Sequence, residues 1–272
     1  MSTTKIEWAT NVWNPVTGCV KISEGCKHCY AEKFAKRLQN NPNFEIKYKY
    51  RNGFKPTFHP ESLKEPFTYK KASRVFVCSM GDLFHVDIQF DWINRIFSIM
   101  SDNDKNTYMI LTKRPKRVLE FFEWKRNGEF GNEEWRANDN IWFGVTVENQ
   151  ETANNRIPLL IRIPCKTRFI SCEPLLGNIN LFKPAVLPDG ETVAGFWLNW
   201  IDWVIIGGES GGNKTTRPMH PDWVRSIHEE CKAANIPFFF KGWGDWQNGY
   251  KIGKKYSGDF IDGKQYHEFP KH

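Results

Sequence analysis

Short apolar runs alternate with helical patterns along most of this sequence. Six runs of four or five residues, rich in Val, Ile and Phe, are each followed by a polar or glycine-containing segment. Nearly continuous apolar runs are typical of strands that are buried on both faces, as in parallel sheets. The predicted strands cover residues 74–78, 108–112, 141–145, 167–171, 203–206 and 237–240.

Helical patterns lie between the predicted strands, at residues 92–100, 115–124, 150–161 and 221–234. The last of them has Pro221 in its first turn and Asn235 after its end, which are typical start and stop signals. Alternating strands and helices form right-handed βαβ units. With a further strand possible ahead of residue 19, we predict an α/β fold, a partial or full (β/α) barrel of mostly parallel strands.

Three segments fall outside this alternation. Residues 40–68 are rich in Lys, Tyr, Phe and Pro, and we expect them to wrap the surface. Residues 178–199 contain the turn signal Pro188-Asp189-Gly190 and predict an inserted hairpin or loop. The tail, 245–272, contains Asn248-Gly249 and Asp262-Gly263, which favour a C-terminal hairpin extension. We assign residues 1–272 to one domain.

The composition indicates a soluble chain with a large core. Hydrophobic residues make up 40% of the sequence, and no run approaches the ~18 apolar residues of a membrane span. The first residues lack the apolar region of an export signal, and the cysteine count, seven, is odd. We therefore expect a cytoplasmic protein without a membrane partner. The net charge of +7 permits an anionic partner such as nucleic acid.

Three of the seven cysteines stand within eleven residues near the start of the chain. Six residues separate Cys19 from Cys26, and two separate Cys26 from Cys29. Prolines and glycines in and around this segment predict a loop, and residues 31–38 predict a helix directly after it. Thiolates are the preferred ligands of iron–sulfur clusters, zinc and copper(I), and a helix N-terminus lowers the pKa of a nearby thiol.

A disulfide, a buried apolar group and a structural zinc site each fit the three cysteines less well. A disulfide leaves one thiol unpaired, and buried apolar cysteines do not normally crowd a glycine-containing loop with Lys21 and Lys27. A structural zinc site takes four protein ligands, and the one nearby fourth candidate, His28, lies between two of the cysteines, where ligation would be strained. Three cysteines with an open fourth corner fit a [4Fe–4S] cluster that leaves one iron free for a small ligand.

Polar or glycine-rich groups follow nearly every predicted strand. In a parallel barrel the carboxyl ends of the strands meet at one rim, where active residues gather. In chain order these groups are Ser79, Met80, Gly81, Asp82 and His85, then Lys113 and Arg114, then Thr146 and Glu148, then Glu173, then Gly207, Gly208 and Glu209, and finally Lys241. Taken singly, each is typical of an ordinary feature such as a helix cap or a tight turn. As a set, they predict a rim suited to a ligand that carries ammonium, carboxylate, ribose and adenine.

Several motifs together resemble those of a known family. They lie at residues 13–19, 26–32, 79–85, 111–115, 144–149, 172–177, 207–210, 217–221 and 238–241. By these motifs the chain resembles, over almost its whole length, an uncharacterised family of bacterial and phage proteins with a three-cysteine motif. That family is related to radical S-adenosylmethionine (SAM) enzymes. One feature departs from the usual radical SAM pattern, because the first two cysteines are separated by six residues instead of three.

The resemblance implies a barrel of radical SAM type and a separate role for each group of residues at its rim. Cys19, Cys26 and Cys29 would hold three irons of a [4Fe–4S] cluster, and the fourth iron would chelate the amino and carboxylate groups of SAM. The segment from Ser79 to Asp82 would contact the SAM ammonium. Further cofactor contacts are expected from Thr146 or Glu148 at the ribose or carboxylate, from Glu173, and from Gly207, Gly208 and Glu209 at the adenine.

The function implied is reductive cleavage of SAM to a 5′-deoxyadenosyl radical, which takes hydrogen from a substrate. Lys113, Arg114, His85 and Lys241 are the candidates to hold an anionic substrate, since cationic side chains suit phosphate or carboxylate. Charge and aromatic content favour modification or repair of a nucleotide or nucleic acid. An electron donor such as flavodoxin or ferredoxin is also implied. Two alternatives are a non-enzymatic zinc protein that binds nucleic acid, and a cluster protein that only transfers electrons or binds SAM.

Overall fold

The computed structural model describes residues 4, 6–128, 135–186, 190, 192–211, 215–247 and 249–271. Its strands are β1 (Asn11–Trp13), β2 (Val16–Thr17), β3 (Thr57–Phe58), β4 (Arg74–Val77), β5 (Thr107–Thr112), β6 (Ile141–Thr146), β7 (Arg168–Cys172), β8 (Pro184–Val186), β9 (Thr192–Phe196), β10 (Trp203–Gly207), β11 (Phe238–Gly242), β12 (Trp246–Gln247), β13 (Tyr250–Lys251), β14 (Phe260–Ile261) and β15 (Lys264–Gln265). Its α-helices are α1 (Tyr30–Leu38), α2 (Phe44–Lys49), α3 (Phe90–Asp102), α4 (Pro115–Asn127), α5 (Gln150–Ile161), α6 (Pro221–Ala233) and α7 (Lys254–Ser257).

Seven strands form one sheet in the order β1-β4-β5-β6-β7-β10-β11. The pairs β1–β4, β4–β5, β7–β10 and β10–β11 are parallel. The predicted α/β fold, a partial barrel of mostly parallel strands, is therefore confirmed. The six predicted strands and the additional one ahead of residue 19 are all present, with ends that differ from the prediction by one or two residues.

The chain divides into two compact units. The first consists of Met1–Phe143 and Pro164–Lys166, and the second of Gly144–Ile163 and Thr167–His272. The assignment of all residues to one domain stays a prediction. Within the residues that the structure describes, no helix is both long and apolar enough to cross a lipid bilayer.

The core of the first unit is built from aromatic side chains on α3, α4 and β6. The Phe97 and Phe121 ring centroids lie 5.0 Å apart, and those of Phe122 and Trp135 lie 4.9 Å apart. Phe143 stacks on Phe97 at 6.1 Å. Offset and edge-to-face contacts of this kind add to the stabilisation that burial of the rings already provides. The core thereby anchors α3 and α4, the two helices that flank β5.

The second unit is organised around Trp203 on β10, which is fully buried. Its ring lies 5.9 Å from that of Phe169 and 6.0 Å from that of Phe239. Asn149 is the N-cap residue of helix α5, and its side chain accepts a hydrogen bond from the backbone of Thr152 at 3.0 Å. The Thr152 hydroxyl accepts one in return from the Asn149 backbone at 3.1 Å, which completes a capping box.

The segments outside the alternation carry short elements of their own. Residues 40–68 contain α2, β3 and two 3-10 turns. Strands β8 and β9 form the antiparallel hairpin expected within 178–199, while Pro188 and Asp189 of its turn lie outside the described residues. The tail forms the hairpins β12–β13 and β14–β15, and Asn248 of the first turn also lies outside the described residues. In the second turn Asp262 and Gly263 have left-handed φ values of 49° and 82°, as expected of an Asp-Gly hairpin.

We expect the change Asn149→Ala to lower the free energy of unfolding by about 1 kcal/mol, because it removes the capping side chain of α5. The matched control is Asn155→Ala, an exposed position inside the same helix. Alanine has the higher helix propensity, so the control should be neutral or slightly stabilising. Urea denaturation followed by circular dichroism measures both. An equal loss in the two variants would contradict the role given to the cap.

Candidate functional site

The three cysteines of the N-terminal loop lie at the beginning of α1. A 3-10 turn covers Glu24–Cys26, and the Cys29 backbone N–H donates to the Cys26 carbonyl at 3.2 Å. Cys29 occupies the N-cap position of α1. All three thiols are only partly buried, whereas the other four cysteines of the chain are buried, at positions 78, 165, 172 and 231. The loop cysteines are therefore the accessible thiols of the protein.

A contact between two glycines fixes the start of the cysteine loop. The Gly18 backbone N–H donates to the Met80 carbonyl at 2.8 Å, and Gly18 forms an isolated parallel bridge with Gly81. Gly18 has a φ of +87°, and a Cβ at Gly81 would lie 2.8 Å from the Gly18 oxygen. A side chain at Gly81 would therefore push these two backbones apart, and one at Gly18 would overlap the Lys55 carbonyl oxygen. The close approach holds the cysteine loop against the segment from Ser79 to Asp82.

Two further residues, which were not among the predicted site residues, hold the same segment. The Asn14 side-chain oxygen accepts hydrogen bonds from the Met80 backbone at 3.0 Å and from the Ser79 hydroxyl at 3.2 Å. The Tyr30 hydroxyl donates to the Ser79 carbonyl at 2.5 Å. Both residues belong to the motifs at 13–19 and 26–32, and this membership was the available signal.

Arg114 connects the end of β5 to the cysteine loop. Its guanidinium donates to the Asp82 carboxylate at 2.8 Å, to the Val20 carbonyl at 2.9 Å and toward the Cys19 sulfur at 3.3 Å. Asp82 also accepts hydrogen bonds from the Thr112 hydroxyl at 2.8 Å and from the Phe84 backbone at 3.0 Å. Charge-assisted hydrogen bonds to a largely buried carboxylate are strong, so this network fixes the position of Cys19.

The pKa values of the Cys19 and Cys26 thiols are shifted in opposite directions. Burial raises the pKa of the Cys19 thiol to about 11, and the Asp82 carboxylate adds to this rise while Arg114 opposes it. Burial also raises the pKa of Cys26, but Lys113 and hydrogen bonds from Ile22 and Ser23 outweigh it, so that pKa lies below its usual value. The positive charges of Lys113 and Arg114 therefore offset the negative charge of thiolates at this loop.

His85 is nearly fully buried in the same unit. Burial, reinforced by the nearby Arg114 charge, lowers its pKa. The ring is thus neutral near pH 7, and its Nδ1 accepts a hydrogen bond from the Asp87 backbone at 3.2 Å. A neutral imidazole acts through hydrogen bonds and not through charge.

Lys241 and Glu173 form the centre of a second group, in the second unit. Their ion pair has an N–O distance of 2.7 Å, and the Ser171 hydroxyl donates to the same carboxylate at 3.2 Å. Gly207 lies directly beside it, since a Cβ at that position would be 3.0 Å from a Glu173 oxygen. The Gly208 N–H donates to the Gly242 carbonyl at 2.9 Å, and a side chain at Gly208 would overlap the Trp243 carbonyl.

The other two predicted carboxylates of this unit each bind an arginine. Glu148 is fully buried and accepts from Arg156 at 2.8 Å, and Arg156 also donates to the Thr146 carbonyl at 2.6 Å. Glu209 accepts from the Arg217 guanidinium at 2.7 and 3.1 Å and from the Arg217 backbone at 2.8 Å. These arginines hold the segments that follow β6 and β10. Neither was among the predicted site residues, although Arg217 belongs to the motif at 217–221.

The structure thus brings the predicted residues together in two sets. The first unit joins the three cysteines with residues 79–82, Lys113 and Arg114. The second unit joins Glu173, Gly207 and Lys241, and places Glu148 and Glu209 in separate ion pairs. That both sets contact one ligand stays a prediction.

The donor set of the loop suits an iron–sulfur cluster. Within the described part of the chain, no three His, Cys, Asp or Glu side chains stand close enough to hold a single metal ion. A [4Fe–4S] cluster makes a different demand, because each thiolate binds a separate iron at its own corner. Three accessible thiols, with cationic Lys113 and Arg114 beside them, supply soft ligands and charge compensation. The residues present therefore fit a cluster.

A family model matches residues 3–270 of this sequence, and it is described as a protein of unknown function (DUF5131). The chain belongs to the DUF5131 family. No protein with a curated description matches the DUF5131 chain.

Solved structures with some likeness to the DUF5131 chain are mutants of spore photoproduct lyase. One, with bound AdoMet and dinucleoside spore photoproduct, is 12% identical with a TM-score of 0.43, and the match covers 84% of this chain and 62% of the lyase. A second mutant is 10% identical with the same TM-score and coverage, and a third is 10% identical with a TM-score of 0.36. The chain spans about three fifths of the length of these lyases.

We expect Asp82→Asn to lower the free energy of unfolding of the DUF5131 chain by about 3 kcal/mol, because it leaves Arg114 without its charged partner in a largely buried site. The matched control is Asp262→Asn, which breaks an exposed ion pair with Arg225. The control should be nearly neutral, since solvent screens surface pairs. Chemical denaturation measures both variants, and a neutral Asp82→Asn would contradict the structural role of the Arg114–Asp82 pair.

Proposed function

We propose that this protein is a radical SAM-type enzyme in which Cys19, Cys26 and Cys29 bind a [4Fe–4S] cluster. The observation that carries the proposal is that three accessible thiols lie on one loop whose position the fold already fixes. Three accessible thiols precede α1, and Arg114 and the contact between Gly18 and Gly81 hold their loop in place. Ligands fixed in advance by a surrounding network lose less entropy when a cofactor binds.

Three thiolates would leave one iron of such a cluster without a protein ligand, and the amino and carboxylate groups of SAM would be suitable ligands for it. The bound cluster and SAM supply reductive cleavage of the sulfonium, which yields methionine and a 5′-deoxyadenosyl radical. The protein contributes binding, orientation and electrostatics. Arg114 and Lys113 offset the negative charge that the thiolates bring, as cationic groups at such sites do.

The remaining predicted contacts are assigned by the chemistry of the SAM molecule. We assign the segment from Ser79 to Asp82 to the SAM ammonium, because its carbonyls and carboxylate are acceptors held next to the cysteine loop. In the second unit, backbone groups without side chains favour a flat ring. We therefore assign adenine to the backbone of Gly207, Gly208 and Glu209. The ribose or carboxylate is assigned to Thr146 or Glu148, and Glu173 is a further cofactor contact.

The proposed substrate is a nucleotide or nucleic acid that the enzyme modifies or repairs. The net charge of +7 favours an anionic partner. Lys113, Arg114 and Lys241 are the cationic candidates to hold it, and the neutral ring of His85 is a candidate hydrogen-bonding group. Since Arg114 and Lys241 already bind carboxylates within the fold, a substrate phosphate would share them with Asp82 and Glu173. Flavodoxin or ferredoxin is the proposed class of electron donor.

Anaerobic reconstitution with iron and sulfide tests this function. We expect a brown protein with about four irons per chain that forms 5′-deoxyadenosine from SAM when dithionite is added. Each of Cys19→Ala, Cys26→Ala and Cys29→Ala should reduce this product to the background without protein. The matched control is Cys165→Ala, a buried cysteine outside the loop, which should retain both colour and product. Absorbance, iron analysis and mass spectrometry provide the measurements.

Two outcomes would overturn the proposal in favour of its alternatives. A colourless protein with one bound zinc that depends on the same cysteines indicates a zinc protein. A brown protein that leaves SAM intact under reducing conditions indicates a cluster that only transfers electrons or binds SAM.

A further inference from the structure

Two consecutive helices repeat one exposed pattern. An aromatic residue, a lysine, a second aromatic residue and an arginine stand at positions i, i+3, i+4 and i+7, which places them on one side of a helix. The residues are Tyr30, Lys33, Phe34 and Arg37 on α1, and Phe44, Lys47, Tyr48 and Arg51 on α2 and the turn after it. All eight are exposed, and we call them the α1–α2 face.

Burial on the opposite side of α1 explains why its part of this face points outward, whereas α2 has no buried residue. Ala31 and Ala35 of α1 are buried in a cluster with Tyr50, which follows α2, and with Met80. The four aromatic rings of the α1–α2 face remain in solvent, with exposed fractions of 56% for Tyr30, 43% for Phe34, 76% for Phe44 and 50% for Tyr48. Large aromatic side chains left exposed on two successive helices are typical of an interaction surface.

The cations of this face lie among its rings. The Arg51 guanidinium is 4.0 Å from the centroid of the Tyr48 ring, and Arg37 is 6.0 Å from that of Phe34. The Phe44 and Tyr48 rings are nearly parallel, with an interplanar angle of 27° and centroids 6.1 Å apart. On each of the two helices, flat rings and positive charges therefore lie side by side.

Net positive charge is concentrated in the same part of the chain. Residues 19–58 contain nine lysines and arginines against three glutamates, which gives +6 of the total +7. A concentration of this kind attracts a polyanion. A helix that lies on a membrane carries its apolar residues and its cations on separate sides, whereas here both occupy one side. This arrangement favours a partner with flat aromatic groups and regularly spaced negative charges.

We propose that the α1–α2 face binds single-stranded nucleic acid. Unpaired bases stack on Tyr30, Phe34, Phe44 and Tyr48, and phosphates pair with Lys33, Arg37, Lys47 and Arg51. Base-on-aromatic stacking tolerates any sequence and requires bases that are not paired in a duplex. The proposal therefore commits to a single strand, of DNA or RNA.

The α1–α2 face begins next to the cysteine loop. Tyr30 directly follows Cys29, and its hydroxyl donates to the Ser79 carbonyl while much of its ring stays exposed. A strand on this face would thus run up to the loop where the cluster is proposed. That placement of a nucleotide near the cofactor rests on the proposed function, whereas binding to the face does not.

Fluorescence anisotropy with labelled oligonucleotides tests the proposal. The oligonucleotides have about 20 nucleotides, because OB-fold proteins that bind single strands cover ~4–16 nucleotides. The probes are single-stranded DNA, single-stranded RNA and the matching DNA duplex. We expect the full chain to bind at least one single strand more tightly than the duplex. The double change Phe44→Ala and Tyr48→Ala should weaken that binding about tenfold or more, because it removes stacking for at least one base.

The matched control for the aromatic variant is Tyr250→Ala with Tyr256→Ala, which removes two rings that are 73% and 70% exposed in the other unit. This control should bind as the unchanged protein does. Lys33→Gln with Lys47→Gln should instead reduce the salt dependence of binding, by about 0.7 in log–log slope for each phosphate that the variant no longer neutralises. The charge-matched control, Lys232→Gln with Lys251→Gln, should leave the slope unchanged.

The inference is overturned if no single strand binds, if the duplex binds as tightly, or if both aromatic variants lose affinity equally. It is also overturned if anionic lipid vesicles, and not oligonucleotides, bind in a way that depends on Phe44 and Tyr48. Running the assay before and after reconstitution separates the two proposals. Binding without 5′-deoxyadenosine formation refutes the enzyme and keeps the face, and the reverse result refutes the face alone.

Discussion

The ion pair between Arg114 and Asp82 is the interaction on which the candidate site depends. Residue 82 follows β4, residue 114 follows β5, and Cys19 belongs to the loop after the first strands, so one guanidinium joins three separate parts of the chain. Without it, a carboxylate that is 7% exposed would lose its charged partner. Because such groups are costly to leave unpaired, the network resists rearrangement and holds the cysteine loop in one place.

Much of the fold followed from the sequence because its pattern is local. Runs such as 141–145 and 203–206 are apolar throughout, and they are buried because their strands are covered on both faces. Pro115 and Pro221 marked helix starts correctly, since proline suits the first turn. The cysteine loop and the helix after it were also predicted, and α1 begins at Tyr30, one residue before the predicted start.

The ion pairs and the backbone contact within the site could not be predicted from local sequence patterns. The sequence placed Glu148 and Glu209 after strands, but nothing local indicates that Arg156 and Arg217 neutralise them. The contact of Gly18 with Gly81 joins residues 63 positions apart, and its geometry depends on how two chain segments approach in the folded state. The sequence alone does not indicate that the α1–α2 face is exposed, because helical spacing does not show which side of a helix is buried.

The central claim is that three cysteines hold a cluster with one iron open to SAM. Electron paramagnetic resonance of the reconstituted, reduced protein tests it most directly, because a ligand on the open iron changes the spectrum of the cluster. The account predicts a reduced [4Fe–4S] signal that depends on Cys19, Cys26 and Cys29 and whose g values change when SAM is added. A cluster signal that is identical with and without SAM, or no cluster signal at all, would contradict it.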